Sequence, residues 1–150
     1  MLAGAAASSI TKEEKGGRLM NTPEHYWQDV LFFFDGKPWA LPLYEALFTR
    51  MEEAFPEASV KVQKSQISFY GRHLFAAASL PLRRKKTWPT ESLLVTLGLP
   101  EKLESSRIAV ATEPYPGRWT HHILVTAPEE IDGELLEWLR QAYEFAESKR

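Results

Sequence analysis

The sequence contains no cysteine among its 150 residues. This absence excludes disulfide-stapled scaffolds, thiolate zinc sites, iron–sulfur clusters and cysteine nucleophiles. No apolar run approaches the roughly 18 residues that a membrane-spanning helix requires, which excludes a transmembrane helix. The net charge of -2 shows no overall excess of positive charge, so the chain is not a globally basic nucleic-acid binder. These properties are typical of a single cytoplasmic domain.

The signature motifs of common enzyme classes are also missing. The sequence has no Gly-x-Ser-x-Gly elbow, no phosphate-binding glycine-rich loop and no strand followed by the glycine-rich turn of a dinucleotide-binding fold. The acidic pairs Glu52–Glu53 and Glu129–Glu130 are sequence neighbours on predicted helices or helix starts, as is typical of solvated faces. We therefore expect no cofactor and favour a protein that is not an enzyme.

Charge is distributed unevenly along the chain. Residues 58–90 contain seven Lys or Arg and no Asp or Glu, a net charge of +7, whereas residues 24–57 carry -5 and residues 128–150 carry -4. In one interpretation, a basic sheet packs against acidic helices and the charges neutralise each other internally. In the other, the basic segment forms a face that binds an anionic partner.

The first 21 residues are predicted to be a disordered extension or a misassigned start. They show no sustained apolar periodicity, and Met20 directly precedes the first helix-start pattern. No Lys or Arg precedes the small-residue stretch Leu2–Ile10, so the segment does not resemble a signal peptide. Residues 22–150 are then predicted to form one α+β domain.

This domain is predicted to begin with two helices and to end with a third. Thr22 and Pro23 suit the N-cap and first position of the first helix. Its apolar flank comprises Tyr26, Trp27, Val30, Leu31 and Phe34. The second helix is expected to start near Pro38 and to stop at Pro56. The last helix, capped by Asp132, has an apolar stripe formed by Leu135, Trp138, Leu139, Ala142 and Ala146.

Between the helices the pattern predicts a mainly antiparallel sheet of about five strands. These strands are Val60–Val62, Ile67–Phe69, Leu74–Leu80, Leu93–Leu99 and a strand that starts at Arg118. Pro114, Pro116 and Gly117 predict a rigid turn before the last strand. Lys64 falls on the same face as Val60, where an unpaired amine is costly, so the phase change before Ile67 predicts a bulge or bend that re-aims it.

Two adjacent histidines lie on the last predicted strand. Alternation places Trp119 and His121 on one face and His122 on the other, so the two imidazoles are poorly placed to share one metal ion. Because cysteine is also absent, we expect no metal site. His121 is interpreted either as a histidine at the edge of the core with a satisfied hydrogen bond, or as a general base or anion ligand at the mouth of a pocket.

Several segments resemble a bacterial family of uncharacterised domains. They are Gln63–Phe69, Leu80–Pro81, Leu97–Pro100, Ser105–Arg107, Trp119–His122, Glu130–Leu135 and Leu139–Tyr143. The resemblance spans residues 26–147 and implies a cytoplasmic α+β domain, found alone or attached to other domains, including nuclease-like ones. Relatives are sometimes labelled putative transport proteins, a label that fits poorly with a chain lacking a membrane span. The family pattern has a Lys at the position of Lys64 and a His at His121 or His122, but it implies no activity or catalytic residue.

The leading hypothesis is a non-enzymatic module that binds an anionic partner, either a small ligand or a nucleic acid. The candidate ligand-binding residues are Lys64, Tyr70, Arg118, Trp119, His121 and His122. The candidate nucleic-acid contacts are Arg83, Arg84, Lys85, Lys86 and Trp88. The alternatives are a small enzyme that uses His121 or His122 as general base together with Lys64, and a protein-interaction domain that uses its acidic helices. The domain is expected to be a monomer or a homodimer.

Overall fold

The computed structural model describes residues 20–81 and 87–149. The chain begins with helices α1 (Tyr26–Phe33) and α2 (Ala40–Ala54). Six strands follow: β1 (Ser59–Val62), β2 (Ile67–Tyr70), β3 (Leu74–Ser79), β4 (Leu93–Leu99), β5 (Ile108–Tyr115) and β6 (Arg118–Val125). A short 3₁₀ helix (Pro128–Glu130) leads into the last helix, α3 (Gly133–Glu147). The domain therefore has the predicted α+β fold, and no described helix could span a membrane.

All neighbouring strands pair antiparallel, in the order β1-β2-β3-β4-β6-β5. Strand β6 lies between β4 and β5, so the connection formed by residues 100–107 has to cross β6. Leu103 in this connection donates its backbone N–H to Nε2 of His121, at 2.9 Å. The crossing therefore lies on the face of the sheet that carries His121.

The helices cover that same face. Helix α3 packs on β3 and β4, and α2 packs beside α3. A bulge between β2 and β3 aims Phe75 towards the helices, where its ring centroid lies 5.2 Å from that of Phe55 and 5.0 Å from that of Tyr143. The buried core combines strand residues with helix residues, including Val60, Ile67, Phe69, Val95, Leu97, Ile123, Leu47, Met51, Leu135 and Leu139. The fold is thus one helical layer on one face of a sheet.

The first helix differs from its prediction. It begins at Tyr26 and not at Pro23, because the Pro23 carbonyl accepts a turn hydrogen bond from the Tyr26 N–H at 3.2 Å and His25 adopts a left-handed φ of 64°. Thr22 therefore does not cap it. With only eight residues, α1 turns a narrow stripe inward, and Leu31 is 55% exposed instead of lying on the apolar flank.

One strand prediction is also wrong: the sheet has a sixth strand, β5, and it includes Pro114, which was predicted to form a turn. The predicted bend at Lys64 is present. Lys64 is exposed in the turn between β1 and β2, where the Gln63 N–H donates to the Gln66 carbonyl at 2.9 Å. This turn reverses the chain, so the alternation of apolar and polar residues restarts in β2. No bulge within a strand is needed to explain the shift.

The described chain starts at the edge of the sheet. Met20 is buried, and Asn21 forms a parallel bridge with Ser59. The Asn21 N–H donates to Ala58 and its carbonyl accepts from the Val60 N–H, at 3.0 and 3.1 Å. These two residues cover part of strand β1, while residues 1–19 of the predicted extension lie outside the described residues.

Candidate binding surface

The face of the sheet opposite the helices is not covered by any described helix. Strand pairing aligns one row of residues across it, in the order Lys61, Ser68, Ala77, Thr96 and His122. Alternation places a second row on the same side. We call this surface the open face, and its members are Ser59, Lys61, Ser68, Tyr70, Leu74, Ala77, Ser79, Leu94, Thr96, Gly98, Val110, Thr112, Thr120, His122 and Leu124. Two members, Ser68 and Ala77, are buried, at 0% and 5% exposure, so a partner could reach only the others.

A hydroxyl–imidazole pair lies near the middle of the open face. Oγ1 of Thr96 and Nδ1 of His122 are 2.9 Å apart, on the paired strands β4 and β6. Burial lowers the pKa of His122 from its ordinary value, so the ring is neutral at pH 7. A hydroxyl beside an imidazole is one half of a nucleophile–base arrangement. Among the described residues, no carboxylate hydrogen-bonds His122 to orient it, so the pair offers polar contacts more readily than catalysis.

A second polar group lies towards the β1 edge. The Ser68 hydroxyl accepts a hydrogen bond from Nε2 of Gln66 at 2.8 Å and donates one to Oε1 of Gln63 at 2.5 Å. Nearby, the ammonium of Lys61 lies 5.0 Å from the ring centroid of Tyr70, within the range of a cation–π contact. Because Ser68 is fully buried, this edge offers one cation, one half-buried aromatic ring and the side-chain amides of Gln63 and Gln66.

The strands that form the open face contain almost no negative charge. Their single acidic residue is Glu113, whose carboxylate accepts the backbone N–H of Gly117 at 3.0 Å in the β5–β6 turn. Arg118 adds a cation at the start of β6, on the same side as Thr120 by alternation. Burial, and then repulsion from Arg118, lower the pKa of Lys149.

The structure places His121 and Trp119 on the helix side. His121 is fully buried beneath the connection of residues 100–107; Nε2 accepts from Leu103, and Nδ1 has no hydrogen-bond partner among the described residues. Lys102 in the same connection lies 5.8 Å from the ring centroid of Trp119. His121 and His122 thus occupy opposite faces, and the described residues hold no cluster of three His, Asp or Glu side chains fit for a metal ion.

The predicted ligand-binding residues do not converge on one point. Lys64 lies in the β1–β2 turn, and β6 is three strands away from β2, a separation of about 14 Å at the usual spacing. Arg118 lies at the opposite end of the sheet from that turn, since β6 starts where β2 ends. Of the six candidates, Tyr70 and His122 are members of the open face, and Arg118 lies at its end.

A groove of about 650 Å³ opens beside the open face, next to Leu124 and Trp88. Its charged lining consists of Arg107 and four acidic residues, namely Glu129, Glu130, Asp132 and Glu134. The Arg107 guanidinium donates to Asp132 at 3.0 Å, to Glu134 at 2.9 Å and to the Glu130 carbonyl at 2.6 Å. Because Arg107 is already paired, the groove has an excess of negative charge and does not suit a small anion.

The basic run predicted to contact nucleic acid, Arg83 to Lys86, lies outside the described residues. Trp88, the last member of that prediction, is half-buried and lines the groove. Both flanks of the run, Pro81 and Thr87, are described.

The central residues of the open face were not predicted from the sequence. Thr96 and Gly98 alternate with Val95, Leu97 and Leu99, and this alternation in β4 could have assigned them to the face away from the core. Ser68 gave no comparable pattern because its whole strand is buried or nearly so. To predict which face of the sheet is uncovered, one must know on which face the helices pack.

Comparison with known proteins gives one match. A family model described as "Domain of unknown function (DUF5655)" matches residues 32–146, which is most of the chain. No curated protein and no solved structure matches the chain significantly. The chain therefore belongs to the DUF5655 family of domains of unknown function.

Proposed function

We propose that this domain is a cytoplasmic, non-enzymatic module that binds a polyanion across the open face. The observation that carries the proposal is the charge of that face: hydroxyls, an imidazole and Lys61 lie among apolar residues, with no carboxylate among its members. A polar face of this kind has donors for phosphate oxygens and no negative charge to repel them.

The shape of the surface favours an extended partner over a small one. Gly98 has no side chain, and a Cβ added there would approach no atom outside its neighbours closer than 3.9 Å. The open face is therefore shallow at Gly98. The groove nearby is lined by an excess of carboxylates, so a small anion has no matching pocket there.

The cations are arranged to follow a chain of charges. Lys61 lies on the edge strand β1 and Arg118 begins β6, so Thr96 on β4 lies between the strands that carry these two cations. The sequence also has four consecutive positive charges, Arg83 to Lys86, which lie outside the described residues. This arrangement supports several phosphate contacts by one partner.

The test is fluorescence anisotropy of the full chain with three labelled probes: a single-stranded DNA of about 12 nucleotides, the matching duplex, and polyphosphate. Each is titrated at salt concentrations between about 50 and 200 mM. We expect Lys61→Gln to weaken binding at low salt and to reduce the slope of log K against log salt by about 0.7 for the single strand, the value for one lost phosphate contact.

The matched control is Lys37→Gln, which removes an exposed lysine from the loop between α1 and α2. This variant should bind like the native chain, because Lys37 lies in the helical layer. Equal losses of affinity in Lys61→Gln and Lys37→Gln would mean that binding depends only on the overall charge of the chain. Absence of binding to all three probes at low salt would refute the proposed function.

A further inference from the structure

Two large apolar side chains are exposed around one end of the open face. Leu74 on β3 is 44% exposed and Tyr115 on β5 is 65% exposed. Tyr70, half-buried on β2, is paired with Leu74 and lies under the ammonium of Lys61. Within the described residues, the other exposed large apolar side chains, Leu31 and Phe32, both belong to α1 in the helical layer.

A strip of small residues separates these groups. Gly98 is paired with Thr120, and Thr120 with Thr112, so only small residues lie between the β3 and β5 sides of this end. Strands β3 and β5 are three inter-strand spacings apart, about 14 Å. Tyr70 and Leu74 therefore stand on one side of this polar strip, and Tyr115 stands on the other.

We propose that this end of the open face holds the bases of a single-stranded nucleic acid, with Tyr70 and Tyr115 as stacking surfaces and Lys61 and Arg118 on phosphates. This inference rests on the proposed function and names its partner. Aromatic side chains on an exposed sheet, flanked by cations, are the elements with which proteins bind unpaired bases, because every base presents a flat ring to stack on.

The surface fits a single strand better than a duplex. In a duplex the base faces are stacked on each other, so Tyr70 and Tyr115 would have no ring to contact. Reading a duplex groove requires a helix or a ribbon that projects into it, and the open face is shallow. A surface that acted through charge alone would favour the duplex, which carries one phosphate per about 1.7 Å of its axis.

The experiment compares stacking variants with the same probes. Tyr115→Ala should weaken binding of the single strand about five-fold or more, the loss expected for one base–aromatic stack, while leaving polyphosphate binding unchanged. Tyr115→Phe keeps the ring and should bind like the native chain. Phe32→Ala removes an aromatic side chain that is 82% exposed on α1, and it should have no effect on any probe.

The outcomes separate this inference from the proposed function. If the duplex binds as tightly as the single strand and Tyr115→Ala changes neither, while Lys61→Gln weakens both, the module binds polyanions but does not hold bases. If no probe binds, the proposed function fails together with the inference. A preference for the single strand that is lost in Tyr115→Ala, but kept in Tyr115→Phe, is the result expected here.

Discussion

Lowering the pH from about 7.5 to 5.5 should destabilise this fold through His121. The imidazole is fully buried, and Nε2 accepts the Leu103 N–H at 2.9 Å, so this nitrogen carries no proton. A proton on Nε2 would remove the acceptor and place a positive charge in the core, near His122 and Lys102. Burial lowers the pKa of His121 from its ordinary value.

The direction and size of this change in the free energy of unfolding follow from the difference in bound protons between the unfolded and folded states. In the unfolded chain His121 titrates near its ordinary pKa of about 6.5, so below that pH the unfolded state binds more protons than the folded state. The free energy of unfolding is therefore constant above about pH 7.5 and falls as the pH drops below 6.5. If the ring stays neutral in the folded state, His121 alone removes about 1.4 kcal/mol by pH 5.5. His122, whose pKa is also lowered by burial, adds to the same trend.

The assay is urea unfolding followed by tryptophan fluorescence, at pH 7.5, 6.5 and 5.5. His121→Gln keeps an oxygen that can accept from Leu103 but has no titratable group, so its stability should depend less on pH than that of the native chain. The control is His25→Asn, which changes an exposed histidine and keeps a residue that tolerates the left-handed φ of 64°. If the free energies of unfolding of His121→Gln and the native chain changed with pH in parallel, His121 would not be the source of the pH dependence.

Two further substitutions test the polar contacts of Arg107 and of Tyr44. Arg107→Lys should lower the free energy of unfolding by about 1–3 kcal/mol, because one ammonium cannot replace a guanidinium that reaches Asp132, Glu134 and the Glu130 carbonyl at once; an unchanged urea midpoint would contradict this. Tyr44→Phe should cost about 1–3 kcal/mol, because the Tyr26 hydroxyl, 2.5 Å from that of Tyr44, would stay buried without this partner. Replacing both tyrosines by phenylalanine should recover part of the loss in the same unfolding curves, and no recovery would show that the loss does not come from an unpaired Tyr26 hydroxyl.

The parts of the fold with a strong local pattern were predictable from the sequence. Strand β4 alternates buried and half-buried residues along its whole length, and its predicted bounds agree with the structure. The last helix begins as predicted, with the Asp132 carboxylate accepting the Leu135 N–H at 3.0 Å. That bond, followed by the Arg107 guanidinium, lowers the pKa of Asp132. Local interactions determine these elements, so the sequence alone is sufficient to predict them.

The parts decided by distant contacts were not predictable. Strand β5 is largely exposed and contains Pro114, so its sequence resembles a loop; it becomes a strand because it pairs with β6. The placement of β6 between β4 and β5 has no local pattern, because it depends on a crossing connection. The row from Lys61 to His122 depends on the register of four strand pairs, and alternation within a single strand cannot supply it.

The path of that crossing connection separates the roles of the two adjacent histidines. Residues 100–107 cross β6 on the helix side, where His121 supplies the acceptor that Leu103 needs, so the fold itself accounts for a polar group in the core. No described segment crosses the other side. Among the residues that the structure describes, the side chains of Thr96 and His122 hydrogen-bond each other, and Lys61 lies against the ring of Tyr70. Because Ser68 and Ala77 in the same row are buried, the proposed anionic partner would meet Lys61, Thr96 and His122.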